Sequence, residues 1–166
     1  MSALLLTQRE ERTLNFFSIF IMDLKKRKAG KNKKHILVTD CERNFLHSME
    51  FILESAGYEV TVADDGKEVM QMILDANKSS RPFDLLIAEI KMKGLTVLAL
   101  LDKLRELNIC MPTFVMTSYG NKDLVVELLR RGCCEYLDKP VDEAELVKRV
   151  RALFNKKSKL KTTKLS

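Results

Sequence analysis

Residues 83–94 read Phe83-Asp84-Leu85-Leu86-Ile87-Ala88-Glu89-Ile90-Lys91-Met92-Lys93-Gly94, an apolar run that ends in a carboxylate and continues into a loop with lysine and glycine. A run that is apolar at successive positions, and not only at alternate ones, is typical of a strand covered on both faces in a parallel sheet. Open α/β sheets place their ligand crevices at the carboxyl ends of such strands. Glu89 is therefore the first candidate for a functional residue.

Strand signals and helix signals alternate five times along the chain. Strands are predicted at residues 35–39, 58–62, in the quoted stretch, at 113–117 and at 135–137. Apolar residues at helical spacing follow each strand, and the last helix is predicted from Glu143 to Phe154. Five such units with short connections require crossovers between parallel strands. The sequence therefore predicts a parallel sheet flanked by helices, and we take a doubly wound sheet with the order 2-1-3-4-5 as its arrangement.

The net charge of +6 is unevenly distributed along the 166 residues. Residues 1–34 carry nine Lys or Arg against three acids, residues 152–166 carry five lysines and no acid, and the span between them has a charge of −5. We expect three parts: an N-terminal extension with a basic linker (1–32), one domain (33–155) and a lysine-rich tail (156–166) too short to fold. An acidic body argues against nucleic acid binding by the domain itself.

Two classes of site are disfavoured by the motifs. The chain has neither a G-x-G-x-x-G nor a P-loop pattern, which argues against nucleotide binding by those routes. The four cysteines, Cys41, Cys110, Cys133 and Cys134, show no C-x-x-C spacing. We expect them to be small buried hydrophobic residues in a cytoplasmic protein.

The apolar segment 14–22 leaves three interpretations open. Nine residues are too few to span a bilayer as a helix, which needs about 20. The segment could dock on the domain or on a second subunit, which would favour a homodimer. It could also anchor residues 14–34 to an anionic membrane with the help of the adjacent lysines. In the third interpretation Met22 is the true start of the protein.

Polar residues follow four of the predicted strands. Asp40 follows the first strand, Glu89 the third and Lys139 the fifth, and Thr117 closes the fourth. In the sheet order 2-1-3-4-5 these strand ends converge near the switch point between strands one and three. Each residue alone is ordinary, but together they predict one cleft with two carboxylates, a hydroxyl and an ammonium group.

The chain resembles the receiver domain of bacterial response regulators over residues 33–155. The stretches that carry this resemblance are Ile36-Leu37-Val38-Thr39-Asp40, Asp84-Leu85-Leu86-Ile87-Ala88, Pro112-Thr113-Phe114-Val115-Met116-Thr117-Ser118 and Glu135-Tyr136-Leu137-Asp138-Lys139-Pro140. In that family an Asp after the third strand accepts a phosphoryl group from a histidine kinase, and acids after the first strand help to bind Mg²⁺.

Several roles follow from this resemblance. It implies that Asp40 belongs to the acidic pocket, that Thr117 and Lys139 would contact the phosphoryl group, and that Tyr136 is the aromatic residue that rotates on activation. A metal ion would be held by Asp40, Glu89 and the backbone carbonyl of Lys91. The resemblance implies a flavodoxin-like, doubly wound (βα)5 fold with the parallel sheet order 2-1-3-4-5. It also implies a signalling module and not an enzyme.

Two positions depart from the family pattern. Cys41 stands where a second acid is expected, and Glu89 stands where the phospho-accepting Asp is expected. The extra methylene of Glu89 would displace its oxygens, and a misplacement of about 1 Å can cost on the order of 10²-fold in rate. A thiol is a poor ligand for Mg²⁺. We expect a magnesium site that is weak or absent, no required cofactor and little or no phosphorylation; a redox role for Cys41 is an alternative.

The sequence thus predicts a stand-alone module of phosphorelay signalling that is held in one state by a Glu89–Lys139 pair, with Glu89 as a mimic of the phosphoryl group. Its partner would be a histidine kinase or a downstream target, bound through the face of helix four, strand five and helix five. Candidate residues on that face are Leu124, Val125, Val126, Tyr136 and Val141. Two alternatives stay open: a phosphoacceptor with an atypical site, and a scaffold whose basic tails bind nucleic acid or membrane.

Overall fold

The computed structural model describes residues 33–162, with side chains from residue 33 to residue 155. The predictions for the apolar segment 14–22, for the start at Met22 and for most of the basic linker lie outside these residues. Within the described part, no helix has both the length and the apolar character needed to cross a membrane.

Five strands form one parallel sheet, as the sequence predicts. They are β1 (His35–Thr39), β2 (Glu59–Ala63), β3 (Leu85–Ala88), β4 (Thr113–Thr117) and β5 (Glu135–Asp138). Their order is β2-β1-β3-β4-β5, and each neighbouring pair is parallel. The helices are α1 (Arg43–Ser55), α2 (Gly66–Lys78), α3 (Val97–Glu106), α4 (Lys122–Arg130) and α5 (Glu143–Thr162). The predicted fold class and sheet order are confirmed.

The core lies on both faces of the sheet, which explains why the strands are apolar at consecutive positions. Every residue of β3 and of β4 is buried. On one face, α2, α3 and α4 pack on side chains such as Leu37, Leu86 and Val115. On the other face, α1 and α5 pack on side chains such as Ile87 and Phe114. The two layers fix the strand ends, and so they fix the position of the predicted cleft.

The last helix is longer than the sequence predicts. It begins at Glu143 as expected, but it ends at Thr162 and not near Phe154. The expectation that the lysine-rich tail does not fold is therefore wrong for its first part. Lysine and leucine are good helix formers, and no glycine or proline follows Phe154 to stop the helix.

The loop that follows β3 is fastened to the loop that follows β2. The amide of Gly66 donates a hydrogen bond to the carbonyl of Lys93 at 2.8 Å, and Asp65 forms a parallel β-bridge with Lys93. Asp65 also caps α2, because its carboxylate accepts from the amide of Lys67 at 2.7 Å. Gly94 lies against this carboxylate with φ at +73°, a conformation that glycine adopts without steric cost. The β3–α3 loop is thus held by backbone contacts.

Candidate functional site

Two buried carboxylates stand at the switch point of the sheet. Asp40 follows β1 and Glu89 follows β3, with 2% and 5% of their surfaces exposed. The amide of Glu89 donates to the carbonyl of Thr39 at 3.0 Å, which holds the two strand ends side by side. Buried charges are costly unless they are paired, so each carboxylate needs a partner.

Lys139 provides that partner for both carboxylates. Its ammonium group contacts Asp40 directly and lies 3.1 Å from Oε2 of Glu89. The amide of Lys139 donates to the carbonyl of Thr117 at 2.9 Å, which fixes the lysine at the end of β5. The ammonium also lies 4.0 Å from the ring centroid of Phe45, a cation–π distance. No pattern in the sequence indicates this contact.

The second oxygen of Glu89 is occupied as well. Its Oε1 accepts a hydrogen bond of 2.6 Å from the amide of Ile90, the next residue in the chain. The extra methylene, relative to an aspartate, lets the carboxylate fold back onto the backbone while Oε2 reaches Lys139. Both oxygens of Glu89, the residue predicted to stand in the phosphoacceptor position, are therefore engaged inside the protein.

The surroundings of Lys139 favour its charged form. Burial by itself would lower the pKa of Lys139, but the hydrogen bonds and charges of Asp40 and Glu89 outweigh burial and raise that pKa above its usual value. The ammonium group thus acts as an internal cation between two carboxylates.

Cys41 and Glu42 lie outside this buried group. Both are exposed, and Asp40 accepts a hydrogen bond of 2.9 Å from the amide of Glu42 through Oδ1. The expectation that the cysteines are buried is confirmed for Cys110 and Cys133, but it is wrong for Cys41 and Cys134. Cys41 is exposed because β1 ends at Thr39, and the chain then turns through Cys41 towards α1.

The donors present do not form the oxygen-rich set that Mg²⁺ prefers. Asp40 and Glu89 share the ammonium group of Lys139, and the neighbouring position carries an exposed thiol. In the described part of the chain, no group of three or more His, Cys, Asp or Glu is arranged to hold a metal ion. The backbone carbonyl of Lys91 was predicted as a third ligand. The ammonium group of Lys91 lies 4.0 Å from the ring centroid of Tyr119, a contact that the sequence did not suggest.

Thr117 and Tyr136 lie beside the carboxylates without a direct hydrogen bond to them. Thr117 is fully buried, and its hydroxyl accepts from the amide of Tyr119 at 3.2 Å. The hydroxyl of Tyr136 donates to Asp138 and packs against Gly120. Burial, together with the hydrogen bond to Asp138, raises the pKa of Tyr136 to about 12. The nearby charge of Glu89 acts in the same direction.

The predicted partner face is mostly occupied by its own domain. Leu124 and Tyr136 pack against the core on one side of the sheet, and Val141 packs on the other. Val126 is 45% exposed, and Leu129, which the sequence did not single out, is 54% exposed. These two residues are three apart on α4 and therefore share one side of the helix.

Comparison with known proteins gives a consistent result. The family described as response regulator receiver domain matches residues 36–151. The transcriptional regulatory protein FixJ of Bradyrhizobium diazoefficiens is 32% identical over 114 residues, which cover 69% of this chain and 53% of FixJ. The transcriptional regulatory protein ZraR of Escherichia coli O157:H7 is 30% identical over 107 residues, which cover 64% of this chain and 23% of ZraR. The chain thus spans about half of one relative and about a quarter of the other.

Solved structures show the same fold. A CheY-like response regulator receiver domain from Methanospirillum hungatei JF-1 has a TM-score of 0.69 and 28% identity, covering 77% of this chain and 98% of that one. The receiver domain of the Francisella response regulator 1452 has a TM-score of 0.67 and 29% identity, covering 75% and 98%. With the match over residues 36–151, this chain belongs to the response regulator receiver domain family.

Proposed function

We propose that this receiver domain signals without being phosphorylated, because Lys139 is already held by the carboxylates of Asp40 and Glu89. The distance of 3.1 Å between Lys139 Nζ and Glu89 Oε2 is the observation that carries the proposal. In this view Glu89 takes the position of a phosphoryl oxygen and supplies its negative charge. The domain is then held in one signalling state by its own side chains.

The engagement of both Glu89 oxygens supports this proposal. Nucleophilic attack on phosphorus requires a free carboxylate oxygen that can approach the phosphorus atom. Oε1 is bound to the amide of Ile90 and Oε2 to Lys139, so attack would first have to break one of these contacts. The exposed thiol of Cys41 adds no hard oxygen ligand for Mg²⁺ beside them.

Acetyl phosphate and Mg²⁺, followed by intact mass measurement, test the proposal. We expect no phosphate adduct on the natural chain. A variant that carries Cys41→Asp together with Glu89→Asp serves as the positive control, and it should gain an acid-labile adduct of one phosphate. A stoichiometric adduct on the natural chain that disappears in Glu89→Gln would overturn the proposal, and it would favour the atypical phosphoacceptor instead.

Receiver domains work in signalling by contact with histidine kinases and effector domains. For this chain we propose that the contact surface includes the exposed side of α4 at Val126 and Leu129. A photoreactive residue at position 126 should cross-link a partner protein in cells. The same residue at position 51 is the matched control, because Phe51 is 74% exposed on α1. Equal cross-linking to one partner from both positions would argue against a contact specific to α4.

A further inference from the structure

Two adjacent cysteines direct their thiols at the same backbone oxygen. The Sγ atoms of Cys133 and Cys134 lie 3.4 Å and 3.1 Å from the carbonyl oxygen of Thr113. Neighbours in a regular strand point to opposite faces of the sheet. These two precede β5, where the chain leaves α4 through Gly132, and one is buried while the other is exposed, yet both sulfur atoms lie beside one carbonyl oxygen. The two sulfur atoms are therefore held in one small region.

One thiol of this pair is accessible from solvent, and the other lies directly beneath the surface. β5 is an edge strand of the sheet, and Cys134 is exposed, whereas Cys133 is 5% exposed. The two cysteines precede β5, so they lie at the opposite end of the strand from Lys139, which follows it. A ligand bound here would not compete with the carboxylate site.

We propose that Cys133 and Cys134 form a two-coordinate site for a soft, thiophilic cation, with Cu(I) as the metal that the donors favour. Soft thiolate ligands select Cu(I), zinc and iron–sulfur clusters. Two sulfur ligands can hold Cu(I), whereas iron–sulfur clusters need four cysteines. Structural zinc usually takes four ligands. The described residues present no set of three or more metal-binding side chains. A two-sulfur site therefore fits Cu(I) and not zinc.

The binding step balances without a redox partner. Each thiol loses one proton, the two thiolates bind one Cu(I), and two protons are released to solvent. The thiols contact the carbonyl oxygens of Thr113 and Glu135, and S–H groups are weak hydrogen-bond donors, so metal binding can replace these contacts at small cost. Because binding releases two protons, we expect the affinity for Cu(I) to increase with pH.

Two probes test the site on the full-length, reduced chain. Phenylarsine oxide reports whether both thiols can close on one atom, because two S–As bonds form and one water is released. Cu(I), added with the chromogenic chelator bicinchoninate, reports metal binding by loss of the colour of the chelate. The natural chain should bind one equivalent of each probe. Cys134→Ser should no longer bind phenylarsine oxide, and its affinity for Cu(I) should be at least tenfold lower. A thermal melt should show that this variant remains folded.

Three further variants make the assignment specific. Cys133→Ala should lose the binding of both probes, as Cys134→Ser does. Cys41→Ser removes an exposed thiol after β1, and Cys110→Ala removes a buried one, and both should bind as the natural chain does. Unchanged Cu(I) binding in folded Cys134→Ser would overturn the proposal. Loss of binding in folded Cys110→Ala would overturn the assignment to two thiols, and arsenical binding without Cu(I) binding would overturn the choice of metal.

Discussion

Gly120 and Tyr136 are in direct contact: a side-chain carbon added at Gly120 would lie 1.4 Å from the hydroxyl oxygen of Tyr136. The absence of a side chain at position 120 therefore permits the observed position of the tyrosine. That position also includes the hydrogen bond from the Tyr136 hydroxyl to Asp138.

The substitution Gly120→Ala should displace the ring of Tyr136. The obstructing atom is the far end of a side chain, so the ring can rotate while the backbone stays in place. We expect a loss of stability of about 1 kcal/mol, the net value of one hydrogen bond. An NMR titration of the tyrosines should give a lower pKa for Tyr136 in Gly120→Ala than the value of about 12 in the natural chain. In a Tyr136→Ala background the same substitution should cost much less, and an equal cost would contradict the contact.

Replacing Lys139 by methionine should destabilise the domain strongly. Two buried carboxylates would lose their shared cation, and breaking a buried pair costs on the order of 3 kcal/mol. Adding Glu89→Gln to Lys139→Met should restore part of the loss, because one uncompensated charge is removed. Urea unfolding of the natural chain, the two single variants and the double variant gives the coupling energy.

Lys148→Met is the matched control for that experiment. Lys148 pairs with Glu145 at 3.7 Å, and its side chain is 79% exposed. Exposed pairs contribute little, so we expect a change below about 0.5 kcal/mol. A similar effect of Lys148→Met and Lys139→Met would show that the buried ammonium group has no special role.

The stabilisation from Lys139 should disappear at alkaline pH. The folded-state pKa of Lys139 is raised above the ordinary lysine value of 10.5, so the unfolded chain loses this proton first as the pH rises. The contribution of Lys139 to the free energy of unfolding is therefore complete below pH 10.5, and it is lost as the pH rises through the folded-state pKa of Lys139. Thermal melts should show a steeper fall of Tm for the natural chain than for Lys139→Met in this range. Parallel curves would contradict the raised pKa.

Thr39→Val should stabilise the domain. Thr39 is buried, and within the described part of the chain its hydroxyl has no hydrogen-bond partner. A valine of similar shape removes the unpaired group, with an expected gain of about 1 kcal/mol. Thr113→Val is the matched comparison, because the buried hydroxyl of Thr113 donates to the carbonyl of Met111 at 3.3 Å. We expect Thr113→Val to destabilise, and equal losses in urea unfolding for both variants would refute this prediction.

The fold could be predicted because its signals are local. Apolar runs at consecutive positions identify β1, β3 and β4, and the helical spacing between them requires crossovers and therefore a parallel sheet. The repeated unit alone does not determine the strand order, which the resemblance to receiver domains implied. The end of α5 could not be predicted with the same success, because no residue after Phe154 marks a stop. Helix ends depend on weak local preferences, whereas strand positions here depend on burial.

The site could be predicted in part. The convergence of Asp40, Glu89 and Lys139 follows from their places at strand ends, since parallel strands end at the same edge of a sheet. The contact of Phe45 with Lys139 depends on the rotation of α1, which periodicity does not give. The exposure of Cys41 beside the buried Asp40 depends in the same way on how the chain turns after β1.

The fastening of the β3–α3 loop to Gly66 has a consequence for how this protein can vary. The hydrogen bond from Gly66 to Lys93 and the bridge to Asp65 involve only backbone atoms of Lys93. The side chain of Lys93 can therefore be exchanged without altering the path of the loop. The rim of the cleft can change its charge, and with it the partners it attracts, while the scaffold beneath keeps its shape.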